Sequence, residues 1–219
     1  MHTRGMTLLE MMIALAVVSV VLSLALVGIQ RPIEGQREAT VTRELWSSAL
    51  QARQRALATN QPVRFVVEPD VTLPDGTQQT VARWERLKCE NDWDNNTCPR
   101  ASCLNTTCRG DSSCCDEVGP DIIIPSTVNA QSVHGLCYLP GLGRAVKPVL
   151  PDAPLGCMTG QLGNAAALMA AAPGNLRLSF TSGRPRSLLM VEPLTGLSSL
   201  LDCDSVRAQK HPAPECTTN

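Results

Sequence analysis

Ten cysteines are the residues of this chain whose chemistry is most evident. None of them precedes residue 89 and their number is even, which is typical of disulfide bonds formed in an oxidising compartment. Zinc or haem would require C-x-x-C pairs, and the sequence contains none. We therefore predict disulfide bonds, with no metal ligand and no cofactor, at Cys89, Cys98, Cys103, Cys108, Cys114, Cys115, Cys137, Cys157, Cys203 and Cys216.

Six of these cysteines lie in a polar insertion, residues 89–117, that has too few apolar groups to fold by burial alone. Crosslinks must therefore hold it, although the sequence does not determine their connectivity. The adjacent Cys114 and Cys115 are expected to have different partners, because a bridge between neighbours is strained. Two pairings outside the insertion are candidates, Cys137 with Cys157 and Cys203 with Cys216.

Carboxylates in the same insertion make calcium the one metal alternative. Residues 92–96 begin like an EF-hand loop, but Thr97 stands in the place of the glycine and Cys103 in the place of the final glutamate. Solvated loop carboxylates are the favoured interpretation. A looser calcium site would use Asp92, Asp94, Asp111 or Asp116.

A further carboxylate, Glu10, stands at the start of a long apolar run. Residues 11–29 carry no charge, and at about 1.5 Å per residue they would span roughly the 30 Å hydrocarbon core of a bilayer. A transmembrane helix is therefore predicted over residues 6–30. The short leader before it contains Arg4, so the rest of the chain, including every cysteine, is expected on the exported side.

The stretch Gly5-Met6-Thr7-Leu8-Leu9-Glu10 resembles the processing signal of type IV pilins and pseudopilins. The resemblance implies that a prepilin peptidase cleaves after Gly5 and that Met6 becomes the N-methylated first residue. It also implies that Glu10 serves subunit assembly by pairing with the terminal amine of a neighbouring subunit. An isolated charge in apolar surroundings is costly. Such a pair would therefore disfavour any axial offset between neighbouring subunits that leaves one of the two charges without its partner.

The same resemblance implies a location and a set of partners. The protein would cross the inner membrane once, with its C-terminal domain in the periplasm, and then enter a filament in the periplasm or at the cell surface. Its partners would be other pilins through the N-terminal helix, the prepilin peptidase, the inner-membrane assembly platform, and membrane lipid before assembly. The net charge of -1 argues against nucleic acid.

The positioning elements follow from the hydrophobic pattern. We predict a leader over residues 1–5, the transmembrane helix over 6–30, its amphipathic continuation over 31–59, and a disulfide-rich β domain over 60–219. Pro32 and Gly35 are expected to bend the helix between its halves. One face of the continuation carries apolar residues at helical spacing, Val41, Leu45, Ala49, Ala52 and Ala56.

Short strands are predicted after the helix, which gives an α+β fold with a long N-terminal helix packed on an antiparallel sheet or sandwich. The segment at 163–174 is predicted as a short helix or a small-residue loop. This order resembles the GspH/FimT class of minor pilins and pseudopilins. The predicted strands are 63–68, 80–87, 121–126, 135–140 and a closing meander of 176–180, 186–192 and 197–202.

No catalytic motif is present, so the chain is not expected to be an enzyme. The prediction is a minor pilin or pseudopilin, a structural subunit that primes or caps assembly of a type IV pilus-like filament. The alternatives are a type II secretion pseudopilin, or a tip-located adhesin or DNA-binding subunit. The thin basic cluster that could bind DNA consists of Arg184, Arg186, Arg207 and Lys210.

Overall fold

A computed structural model describes residues 8–89, 101–148, 154–157, 169–171, 175–180, 187–203 and 214–217. These residues form an α+β fold in which every paired strand runs antiparallel to its neighbour. The predicted fold class is confirmed at this level. The chain divides into two compact units, residues 1–37 and residues 38–219.

The long N-terminal helix, α1, spans Leu8–Thr59. Its helical assignment continues through Pro32 and Gly35, and the bend expected there stays a prediction. The helix ends where Asn60 takes a φ of 51°, the left-handed conformation common just after a helix. Pro62 follows and cannot continue the helix, as its position in the sequence predicts.

Between Leu8 and Leu22, α1 leaves its large apolar side chains exposed. The hydroxyl groups of Ser19 and Ser23 donate hydrogen bonds to backbone carbonyl oxygens one turn earlier in the helix. Their polar groups are therefore satisfied within the helix itself. Among the described residues, no helix combines the length and the apolar character needed to cross a membrane. The predicted transmembrane helix over 6–30 is therefore not supported within that part of the chain. The exposed residues include Leu8, Leu9, Met11, Met12, Ile13, Leu15, Val17, Val18, Val20, Val21 and Leu22.

The second unit contains the end of α1 and short strands, together with a final helical turn, α2 (Pro214–Thr217). The described strands are β1 (Val63–Thr72), β2 (Gln78–Leu87), β3 (Cys115–Val118), β4 (Ile122–Ile124), β5 (Val128–Asn129), β6 (Cys137–Tyr138), β7 (Ala145–Pro148), β8 (Met169–Ala171), β9 (Asn175–Leu176), β10 (Ser179–Phe180), β11 (Ser187–Val191) and β12 (Ser198–Asp202).

The main sheet follows the order β3-β2-β1-β6-β7-β8, and β4 continues along the same edge of β2 as β3. Smaller sheets pair β10 with β5 and order β12-β11-β9. Strands β1 and β2 form the long central hairpin, joined across the Asp75–Gly76 turn that the sequence predicts. This hairpin is therefore the element on which the other layers are built.

Two sequence predictions on the closing strands are wrong in part. The predicted strand 176–180 divides into β9, which joins β11, and β10, which pairs with β5 outside the meander. Within the segment 163–174, residues 169–171 form the edge strand β8 rather than a helix or loop, and residues 163–168 lie outside the described range. Backbone pairing with the exposed edge of β7 outweighs the helix propensity of alanine there.

The hydrophobic core lies between α1 and one face of the β1–β2 hairpin. Phe65 stands opposite Trp84 in the register, so both side chains point to this helix-covered face. The predicted apolar stripe of α1, Val41, Leu45, Ala49, Ala52 and Ala56, is buried on it. Two polar contacts tie α1 to the β11–β12 hairpin: Trp46 Nε1 donates to Ser198 O at 3.0 Å and Arg53 Nε donates to Thr195 O at 2.6 Å.

The helix stripe should account for much of the stability of the β domain. Leu45 is 0 % exposed and packs in the core, so Leu45→Ala should lower the free energy of unfolding by about 2–5 kcal/mol. Leu142 is 78 % exposed, so the matched control Leu142→Ala should change it by about 0.5 kcal/mol or less. Chemical denaturation of the full chain measures both, and equal effects would contradict the assignment of the core.

Candidate functional site

The opposite face of the β1–β2 hairpin, called here the outer face, carries charged side chains that are nevertheless buried. Arg64 on β1 stands directly opposite Glu85 on β2, and both side chains are 0 % exposed. The Nε and NH2 groups of Arg64 donate to Glu85 Oε2 at 3.1 and 3.0 Å. A buried ion pair of this kind is tolerated only when hydrogen bonds satisfy its remaining donors and acceptors.

The remaining donors of Arg64 hold the segments that cover the outer face. Its NH1 group donates to Cys103 O at 2.6 Å and to Leu155 O at 3.1 Å, and NH2 donates to Thr106 O at 2.6 Å. Together with the bonds to Glu85, all five guanidinium N–H groups have acceptors. Burial lowers the pKa of Arg64 and the Glu85 carboxylate opposes that shift, so the guanidinium stays charged.

Glu85 is satisfied with equal completeness. Arg83 donates to Glu85 Oε1 from Nε at 3.2 Å and from NH2 at 2.9 Å. The backbone N–H of Cys108 donates to the same oxygen at 2.9 Å. One carboxylate therefore binds two arginines of the sheet and the backbone of the insertion.

The charged cluster extends outward to the solvent. Arg83 also approaches Glu68 and Asp121 at 3.6 Å each. Arg109 of the insertion donates to Glu68 Oε2 at 3.1 Å and to Asp121 Oδ2 at 2.9 Å, and Thr107 donates to Glu68. The Asp121 hydrogen bond is the main cause that raises the pKa of Arg109. Three arginines thus meet three carboxylates, so the charges of the cluster balance from its buried end at Arg64 and Glu85 to its exposed end at Arg109 and Asp121.

Two disulfides crosslink the described part of the insertion. Cys103 bonds to Cys114 and Cys108 bonds to Cys115. The adjacent cysteines thus have different partners, as their position in the sequence suggests. The backbone of the insertion is fixed to β2 as well, because Lys88 N donates to Cys114 O at 2.9 Å and β3 pairs with β2.

The other described cysteines are disulfide-bonded as well. The structure contains both pairings that the sequence suggests outside the insertion, Cys137 with Cys157 and Cys203 with Cys216. Cys89 is also disulfide-bonded, and no cysteine is free among the described residues. Cys98 lies outside the described residues.

Metal binding finds no support in the geometry of the described residues. Glu85, Cys108 and Cys115 come close enough to suggest a metal ion, but the two sulfurs are joined in a disulfide and arginines hold the carboxylate. Of the calcium candidates, Asp111 caps a short helical turn by accepting from Ser113 N, and Asp116 pairs with Arg86 at 3.6 Å. The other two candidates, Asp92 and Asp94, lie outside the described residues.

The residues predicted to serve processing and assembly stand apart from this cluster in the sequence. Glu10 lies in the first turn of α1, where a carboxylate complements the positive end of the helix dipole. Gly5 and Met6, with the rest of the predicted leader, lie outside the described residues. The thin basic cluster Arg184, Arg186, Arg207 and Lys210 also lies outside them.

Comparison with known families identifies the N-terminal segment. The prokaryotic N-terminal methylation motif matches residues 1–26. The chain is type IV pilin-like. No curated protein and no solved structure matches it. The match places Gly5, Met6 and Glu10 inside the motif of this pilin-like protein, whereas the β domain lies beyond the matched residues.

The charged cluster of the pilin-like chain is the feature that sequence reasoning missed. Arg64, Arg83 and Glu85 occur in segments that alternate apolar and polar residues, and such polar positions usually face water. The polar insertion that follows β2 could have indicated this burial. A disulfide-linked loop without a hydrophobic core of its own must pack against another part of the protein. A charged sheet face is the surface that matches it.

Removing one partner of the buried pair should be costly in this pilin-like protein. Arg64→Met leaves Glu85 with less compensation and the carbonyls of Cys103, Thr106 and Leu155 without their donor, so the free energy of unfolding should fall by about 3–5 kcal/mol. The control Arg109→Met removes the ion pairs of a guanidinium that is 38 % exposed, to Asp121 and Glu68, and should cost about 1 kcal/mol or less. Denaturant titration compares them, and a small loss for Arg64→Met would contradict the role of the buried pair.

His134 gives the β domain a defined pH dependence. Burial and the nearby Lys147 lower the pKa of His134 from its ordinary value of 6.5, and Nδ1 accepts from Val67 N at 3.0 Å. The unfolded chain therefore binds a proton more readily, so stability should be complete above pH 6.5 and fall as the pH drops toward the folded-state pKa.

The variant His134→Asn keeps a side-chain acceptor and cannot titrate, so its melting temperature should depend less on pH below 6.5 than that of the unmodified chain. Thermal melts across this pH range measure the effect, and an unaltered slope in His134→Asn would refute the assignment.

Proposed function

We propose that this chain is a minor pilin or pseudopilin, a structural subunit that primes or caps a type IV pilus-like filament and catalyses no reaction. The observation that carries the proposal is the N-terminal methylation motif at residues 1–26, joined to a helix that continues to Thr59. A long helix followed by antiparallel sheets also supports membership of the GspH/FimT class, with β11 and β12 as its closing hairpin.

The exposed apolar side chains of α1 support a role in which this segment is covered by other molecules. Large aliphatic residues occur on all sides of the helix between Leu8 and Leu22, and a helix that is apolar all round is stable in lipid or among other helices. The proposal places the segment in the inner membrane before assembly and among the helices of other pilins afterwards. The β domain is then periplasmic, and finally part of a filament.

The chemistry at the motif follows from this placement. Prepilin peptidase would cleave after Gly5, and Met6 would become the methylated N-terminal residue. Its amine would still carry a positive charge, which Glu10 of an adjacent subunit can neutralise. Because either charge alone is costly in apolar surroundings, the pair favours one stagger between subunits over others. The inner-membrane assembly platform would supply the subunits in turn.

The stapled insertion supports a minor rather than an abundant subunit. It covers the outer face of the β1–β2 hairpin, is fixed there by hydrogen bonds and an ion pair, and is crosslinked internally by two disulfides. An abundant subunit must tile with identical copies on every side, and a rigid insertion on one face restricts that tiling. A subunit that is used once, at the start or end of a filament, has no such constraint.

A Glu10→Ala variant should be cleaved and methylated normally but should assemble poorly into filaments. Mass spectrometry of envelope material should show a chain that begins at N-methylated Met6, as in the unmodified protein. Incorporation into sheared filaments should fall about tenfold or more, because an amine left unpaired in the helix bundle costs several kcal/mol.

Glu44 lies on an exposed face of the same helix, so Glu44→Ala is the matched control and should leave incorporation unchanged. Recovery of the chain with its five opening residues attached and no methyl group on Met6 would overturn the proposed function. Normal incorporation of processed Glu10→Ala would instead remove only the assembly role of that carboxylate.

A further inference from the structure

The two disulfides of the insertion are interlaced. Cys103 bonds to Cys114 and Cys108 bonds to Cys115, so each bridge closes a loop that contains one cysteine of the other. Cys89 and Cys98 complete the six cysteines of the insertion, and Cys89 has a disulfide of its own. The other four allow three pairings among themselves, and the one that joins Cys114 to Cys115 is strained. The real competitor is the nested pairing, Cys103 with Cys115 and Cys108 with Cys114.

Chain entropy does not choose between the interlaced and the nested pairing. The observed bridges have sequence separations of 11 and 7. The nested bridges would have separations of 12 (115 minus 103) and 6 (114 minus 108). Loop-closure entropy depends on the logarithm of loop length. It therefore changes the equilibrium constant between the two pairings by only about 10 %. Something other than the loops must select the observed connectivity.

The selecting contacts are the bonds that the outer face makes to the backbones of the cysteines. Arg64 NH1 binds Cys103 O at 2.6 Å, and Glu85 Oε1 accepts from Cys108 N at 2.9 Å. Arg64 and Glu85 also bind each other, so they fix the position of Cys103 relative to Cys108. We propose that the buried Arg64–Glu85 pair is a template that selects the interlaced disulfides of the insertion.

The other half of the arrangement comes from the edge of β2. Lys88 N donates to Cys114 O at 2.9 Å, and Cys115 pairs with Leu87 at the start of β3. Cys114 ends the short helical turn Ser112–Cys114, whereas Cys115 is extended and begins β3. The two adjacent residues therefore present their sulfurs at different places. With Cys103 and Cys108 placed by the ion pair, each sulfur meets one partner.

The template acts on an equilibrium of ordinary thiol–disulfide chemistry. Each bridge forms when two thiols lose two electrons and two protons to a disulfide oxidant such as oxidised glutathione, which becomes two thiols. A wrong bridge is corrected when a cysteine thiolate attacks it, so that one S–S bond forms as another breaks and no net oxidation occurs. The ion pair makes no covalent bond and stabilises only the interlaced product.

The test is a direct competition between adjacent cysteines. In a full-length Cys103→Ala chain, Cys108 must choose between Cys114 and Cys115. The purified chain is reduced, reoxidised in a mixture of reduced and oxidised glutathione, and alkylated. Fragment mass spectra then show which of the two adjacent residues carries the alkyl group. The ratio of the two products measures the selection.

With Arg64 and Glu85 intact, the alkyl group should be found on Cys114 at least about tenfold more often than on Cys115, the factor that one hydrogen bond to a charged group contributes. In an Arg64→Met/Glu85→Leu background the ratio should approach one. Arg109→Met removes a charge of the same cluster that makes no bond to a cysteine backbone, and it should keep the high ratio.

A high ratio in the Arg64→Met/Glu85→Leu background would overturn the proposal and leave the pairing of β3 with β2 as the selecting element. A ratio near one with the ion pair intact would also overturn it. A cooperative thermal melt of the reoxidised chain reports that the rest of the domain has folded. If the double variant fails this check, Arg64→Lys decides, because it keeps the charge, loses the planar fork, and should lower the ratio.

Discussion

The buried ion pair between Arg64 and Glu85 joins the sheet to the segments that cover its outer face. Arg64 reaches the carbonyls of Cys103, Thr106 and Leu155, and Glu85 receives the backbone N–H of Cys108. Two full charges out of water would be strongly unfavourable on their own, so the pair exists only when its donors and acceptors are satisfied. The insertion therefore shields the charges, and the charges determine where the insertion lies.

The two faces of the β1–β2 hairpin are thus held by different interactions, apolar burial on one face and a hydrogen-bonded ion pair on the other. Phe65 and Trp84 meet α1 and are stabilised by removal of apolar surface from water. Arg64 and Glu85 meet a polar, disulfide-linked loop that could not form an apolar interface. Apolar contacts tolerate many arrangements of similar volume, whereas a buried ion pair with directed hydrogen bonds tolerates few. The first face gives stability and the second gives a unique position to a segment with no core of its own.

The features that the sequence could predict are those set by local patterns, and the features that it could not predict depend on contacts between distant segments. The apolar stripe of α1, the long strands and the bridges Cys137–Cys157 and Cys203–Cys216 follow from local periodicity or short separations. The transfer of β10 to β5 and the edge strand β8 depend on pairing between distant segments, for which local propensity is a weak guide. The burial of Arg64 escaped prediction for a similar reason, since an arginine at an alternating position is buried only if another segment covers it.

The pilin-like motif and the β domain use charge in the same physical way. A buried charge costs far more when it is misplaced than it contributes when it is paired, so its main effect is to exclude wrong arrangements. In the proposed filament, Glu10 would exclude wrong staggers between subunits whose apolar helices could otherwise slide. Within the domain, Glu85 excludes wrong positions of a loop whose adjacent cysteines could otherwise exchange partners. In both places the neighbouring interactions allow several arrangements: aliphatic contacts allow helices to slide, and loops of similar length allow cysteines to pair differently. The ion pair supplies the selectivity that these interactions lack.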